Sequence, residues 1–135
     1  MKANELMVGD YIMLYKDIYI IEEISSKGWA HIIHNDGSNC RVPLSTDYIL
    51  GELTPVPLTA EILEKNGFIK HTDYCWLISE NNGRRLIEYR TDYLDGLLRI
   101  SYAEEPFSKL MIKVKYVHEL QHALRLCNIN KEIIL

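Results

Sequence analysis

The sequence predicts an α+β protein: a small β-rich N-terminal module over residues 1–55, either an SH3-like barrel or a curled sheet, then an antiparallel meander with two helices over 56–135. Three features point this way. Short runs of β-branched and aromatic residues alternate with Gly, Asn and Asp turns, which favours strands over helices for runs this short. Residues 51–57, Gly-Glu-Leu-Thr-Pro-Val-Pro, hold two of the four prolines and read as an extended connector. Two stretches, one straight after that connector and one near residue 120, carry helix signals and an apolar repeat of helical period. The sequence leaves open whether the two modules share one core.

A Gly9-Asp10 turn leads into the first strand, Tyr11-Ile12-Met13-Leu14-Tyr15, and Ile18-Tyr19-Ile20-Ile21 follows, ending in Glu22-Glu23-Ile24. Ser25-Ser26-Lys27-Gly28 then turns the chain into Trp29-Ala30-His31-Ile32-Ile33-His34, and Asn35-Asp36-Gly37-Ser38 turns it into Asn39-Cys40-Arg41-Val42. Asp-Gly is the pair that tolerates the positive φ of a tight hairpin. After the connector, Thr59 caps a helix, Glu61 sits near the positive end of its dipole, Ile62 and Leu63 supply its apolar face, and Asn66-Gly67 ends it. Phe68 is expected to fold back onto that helix. Strands return at 74–78, 85–89 and 97–102, separated by turns at Asn81-Asn82-Gly83 and Asp95-Gly96. Glu104-Glu105 before Pro106 reads as a solvated loop, and a last helix is expected over 113–127 with Asn128 as its terminator.

At 135 residues, 47% hydrophobic and 25% charged, the composition is that of an ordinary soluble globular protein. No apolar run reaches the ~18 residues of a membrane span, and the residues after Met1 lack the apolar core of a signal peptide. A cytoplasmic protein without a membrane partner is expected. Cys40, Cys75 and Cys127 are odd in number and widely separated, which argues against a disulfide framework and a thiolate zinc site. Residues 1–57 hold four cations against eight anions, whereas 58–135 balance. Phosphate neutralisation needs a basic surface, so nucleic-acid binding is disfavoured, with Arg84, Arg85 and Arg90 the only local patch to consider.

His118-Glu119-Leu120-Gln121-His122 matches HExxH, in which two His one helical turn apart hold zinc and the Glu takes a proton from bound water. In that alternative His118 and His122 are metal ligands and Glu119 the catalytic base. The apolar stripe Val117, Leu120, Leu124 and Cys127 places both His on the opposite face, flanked by Lys115 and Arg125, and predicts a solvent-facing helix. A third ligand is also missing from the expected place. Only 13 residues follow His122, Arg125 and Asn128 stand where a metzincin has Gly and His, and Glu132 lies too close. His31, His34 and His71 are upstream possibilities without a motif behind them. Tyr11, Tyr15, Tyr19 and Trp29 form a candidate aromatic row for stacking bases or gripping a proline-rich peptide, with core packing the alternative.

The tail from Lys115 to His122, with Leu124, resembles a recurrent KYVHQLQNLYFAL tail in an uncharacterised family of small proteins from gut-bacterial prophages and mobile elements. Asn4-Glu5-Leu6, Gly9-Asp10, Pro57-Leu58-Thr59 and Gly67-Phe68 extend the likeness. His118, Leu120 and Gln121 match, while Glu119 and His122 stand where the family has Gln and Asn. The resemblance implies a mobile-element or phage origin and brings no activity or cofactor. The leading expectation is a non-enzymatic interaction or accessory protein with a protein partner and no cofactor. A zinc-dependent hydrolase is the first alternative and a weak nucleic-acid-binding module the second.

Overall fold

The structure, a computed structural model, describes residues 5–44, 53–80, 82–92 and 96–135, with the backbone alone for 105–109. Asn4, Gly51, Glu52, Asn81 and Asp95 of the motifs and turns above lie outside the described residues. The chain forms two compact units, Met1–Val56 and Pro57–Leu135. Both are built on antiparallel sheets, so the class is α+β.

The first unit holds β1 (Tyr11–Leu14), β2 (Asp17–Ser25), β3 (Trp29–His34), β4 (Asn39–Pro43) and β5 (Leu53–Pro55) in the order β4-β3-β2-β1-β5. It is an open sheet and not a closed barrel. Part of the expected connector is therefore a strand: Leu53 pairs with Leu14 and Pro55 with Ile12. Proline is tolerated there because β5 is an edge strand. Pleating sends Ile12, Ile21, Ala30, Ile32, Val42 and Leu53 to one side, where they bury with Leu6.

Two local features shape this sheet. Ile21 pairs with Ile32 but Glu23 pairs with His31, so β2 carries one extra residue, Glu22. This bulge lets two consecutive glutamates stay exposed while Ile24 returns to the core side opposite Ala30. The β1–β2 turn is made by Tyr15 and Lys16, with φ of 54° and 93°. Such turns usually hold Asn and Gly, and each non-glycine residue there costs about 1–2 kcal/mol.

The β3–β4 turn is a three-residue loop closed by Gly37 N–H to His34 C=O at 3.0 Å and His34 N–H to Ser38 C=O at 2.8 Å. Gly37 alone takes the positive φ, at 86°. Asp36 accepts from both the hydroxyl and the backbone N–H of Ser38 and faces His34 Nδ1 at 3.0 Å. The Ser38 bonds, hydroxyl first, hold the Asp36 carboxyl down at about 2, against an ordinary 3.8. A depressed folded-state value stabilises the fold above the ordinary value, and the contribution disappears as pH falls through about 2. A side-chain NMR titration should place the Asp36 midpoint near 2 in the folded chain. A midpoint at the ordinary carboxylate value would show that the turn does not close in this way.

The second unit holds α1 (Ala60–Lys65), β6 (Ile69–Thr72), β7 (Cys75–Glu80), β8 (Arg85–Arg90), β9 (Leu97–Tyr102), β10 (Glu105–Lys113) and α2 (Val117–Leu126). Its sheet runs β10-β9-β8-β7-β6, the expected meander with two additional strands. The stretch that the sequence leaves between the Glu104-Glu105 loop and a helix start at Lys113 is β10, paired with β9 from Glu105 to Lys113 with a register shift before Lys109. Consequently α2 starts at Val117, four residues later than expected.

Thr59 caps α1 by accepting the Ile62 N–H at 3.3 Å. Both helices then end alike. Gly67 and Asn128, at φ of 86° and 54°, close the turn, and the next residue, Phe68 or Ile129, donates back to Leu63 or Leu124. The four apolar residues of these closures are all buried.

Hydrogen bonds from three side chains tie the helices and the passage into α2 to the sheet face shared by Ile78, Ile87, Tyr89, Leu98 and Ile100. Trp76 Nε1 donates to Glu64, Arg85 donates to the Cys127 and Asn128 carbonyls at the end of α2, and Tyr89 Oη donates to the Val114 carbonyl at 3.1 Å. Cationic Arg85 also complements the negative end of the α2 dipole. No helix among the described residues is long and apolar enough to cross a membrane.

Candidate functional site

The HExxH side chains are used locally. Glu119 Oε2 accepts the backbone N–H of Lys115 at 2.6 Å and of Tyr116 at 3.1 Å. The carboxylate thus closes the N-terminus of α2 as the acidic half of a capping box. His118 does not face solvent as expected; it is buried, as is Gln121. Its ring stacks on Tyr116 at 6.0 Å between centroids and meets the half-buried His122 edge-on at 5.6 Å. The single-stripe reading failed because α2 is covered on more than its apolar face: Val117, His118, Leu120, Gln121, Ala123 and Leu124 are all buried. Among the described residues no three His, Cys, Asp or Glu side chains gather as a potential metal set.

Other sequence candidates disperse. Tyr11 pairs with Ile20 and Tyr19 with Ile12, so the two tyrosines occupy opposite faces of the sheet. Tyr19 packs its ring against His34 at 5.2 Å, Tyr15 stands at the turn, and Trp29 lies under the Arg41 guanidinium at 4.4 Å. They do not form a row. Arg84 faces Glu104 at 3.8 Å, Arg85 holds the end of α2, and Arg90 grips both oxygens of Asp92 at 2.6 and 3.0 Å. All three cysteines are free thiols. Burial raises the Cys75 and Cys127 thiols above their ordinary value, Glu88 adding to the effect at Cys75, so both are poor nucleophiles at neutral pH.

Two polar clusters escaped the sequence reading because they depend on cross-strand register. On the first sheet, His31 Nδ1 lies 2.8 Å from Glu22 and its Nε2 lies 3.1 Å from Asn39, linking β2, β3 and β4. The Glu22-Glu23 pair inside an otherwise apolar run was the available sign of the bulge that makes this possible. On the second sheet, Glu88 lies almost buried on the face away from the helices, 2.7 Å from Arg99 and 4.0 Å from Arg90. Arg90 in turn holds the Asp92 carboxyl below its usual range through their hydrogen bonds.

Beside that ion network, at the β6 edge, lies a groove of about 470 Å³. Ile69, Leu77, Ser79 and Leu86 line it from one face of the sheet, and Lys70, paired with Trp76, reaches it from the other, with His71 beside it in the strand. Ile69 is 73% exposed and Leu86 38%, and β6 is exposed along its whole length. None of the lining residues is acidic. No protein-family profile, curated protein or solved structure matches the chain.

Proposed function

We propose that the chain is a non-enzymatic accessory protein that acts by binding a protein partner. The exposed apolar groove along the β6 edge carries this reading, since an open strand edge beside a side-chain pocket is a common means of gripping an extended segment. The HELQH segment supports it by its present use, Glu119 as a cap and His118 as a buried ring. The order β4-β3-β2-β1-β5 supports an SH3-like first unit, itself a frequent interaction scaffold. A phage or mobile-element origin rests on the resemblance of the tail, and a cytoplasmic location on the composition.

A photo-crosslinking residue at position 69 tests this in cells, with one at Leu126, 82% exposed at the end of α2, as control. The expected result is a discrete protein adduct from position 69 and none from 126. No adduct at 69 would overturn the reading. Near-stoichiometric zinc in untagged protein, lost on His118→Ala, would replace it with the hydrolase alternative. Tight binding to DNA or RNA with a steep salt slope would replace it with the nucleic-acid one.

A further inference from the structure

The groove's chemistry narrows the class of partner, given that the protein-binding reading above holds. Among the described residues β6 is an edge strand, with no strand paired to its outward-facing N–H and C=O groups. It is also short, carries a lysine, and is bulged between Lys70 and Thr72. These features discourage indiscriminate pairing. In particular, an antiparallel copy of β6 would bring Lys70 close to its own equivalent, so a second copy of this chain is a poor occupant.

The same lysine favours an acidic strand. Lys70 meets Asp73 at 3.5 Å, but both side chains are largely exposed, and such a pair is worth little, so a partner's carboxylate can replace it. His71 adds a second donor, and none of the groove-lining residues is acidic; on Lys70's own face the Glu64 carboxylate is held by the indole of Trp76, the register partner of Lys70. Along the other face of an added strand, every second side chain would meet Ile69, Leu77 and Leu86.

We propose that the β6 edge takes an extended peptide in which apolar and acidic residues alternate, added antiparallel or parallel as a sixth strand of the second sheet. The apolar residues fill the Ile69–Leu86 wall and the carboxylates face Lys70 and His71.

The probe is a fluorescein-labelled peptide of alternating valine and glutamate, with the valine–lysine peptide as its counterpart, followed by anisotropy on the full chain. The acidic peptide is expected to bind at least roughly tenfold more tightly. It should slow amide exchange within Ile69–Thr72 and lose affinity when its own alternate amides are methylated. Lys70→Glu should reverse the preference, which a merely misfolded variant would not do. Equal binding of both peptides, an unchanged preference in Lys70→Glu, or protection at β10 in place of β6 would overturn this assignment. Crosslinking at position 69 with no charge preference among peptides would sink the acidic-strand inference alone. No crosslink at all would sink the underlying reading.

Discussion

Gly96→Ala is expected to cost the second unit about 3–5 kcal/mol, among the largest effects of any single methyl group in this chain. Gly96 adopts φ of +101°, and a Cβ there would lie 2.0 Å from the Val114 carbonyl oxygen and 2.5 Å from the Tyr89 hydroxyl. Neither is a flexible side-chain end that can swing away. The Val114 oxygen is backbone, and it accepts the buried Tyr89 hydroxyl while the Val114 N–H donates to Gly96 C=O at 2.9 Å. The added methyl therefore separates all three groups, which together fix the passage from β10 to α2. Gly83→Ala, in the same unit, is the control, because Gly83 has φ of +82° with nothing within 4 Å and should cost only about 1 kcal/mol. Urea unfolding monitored by Trp76 fluorescence in a Trp29→Phe background compares them. Similar losses for the two variants would refute the steric account.

Asn66→Asp should cost about 3 kcal/mol at neutral pH. The Asn66 amide, nearly buried, donates to the Ile62 and Ile134 carbonyls at 2.8 and 2.7 Å and accepts the Ile134 N–H at 2.8 Å. It offers Ile134 a donor and an acceptor as a neighbouring strand would, and so ties the segment bearing buried Ile133 to the end of α1. Aspartate has almost the same shape but turns an acceptor oxygen toward two carbonyls. Protonation restores one donor, so the deficit relative to the parent should shrink as pH falls. A deficit independent of pH in paired urea titrations would show that shape, and not the lost donor, sets the cost.

Features set by neighbours in sequence were legible without the fold. Thr59, Asn66-Gly67 and Asn128 do what capping rules require, because each acts within a few residues of itself. β6 and β10 were not. Ile69-Lys70-His71-Thr72 is wholly exposed and lacks the apolar alternation that marks a half-buried strand. In β10, Leu-Met-Ile flanked by lysines suits either a strand or a helix, and only pairing with β9 decides. The burial of His118 and Gln121 was hidden because a helical wheel ranks faces by polarity and cannot say how many of them are covered. The β6 groove joins residues from three strands, so its apolar members looked like ordinary strand residues one at a time.

The two sheets differ in how far apart their partners lie along the chain. Each strand of the second sheet pairs only with its sequence neighbours, so its hairpins can form one after another. The first sheet instead needs β1 to wait for β5, with Ile12 finally opposite Pro55. Closing so long a loop is the slower kind of step in folding. During synthesis the outer edge of β1 stays uncovered until residue 55 has emerged, and the N-terminal unit is complete only as the C-terminal one begins.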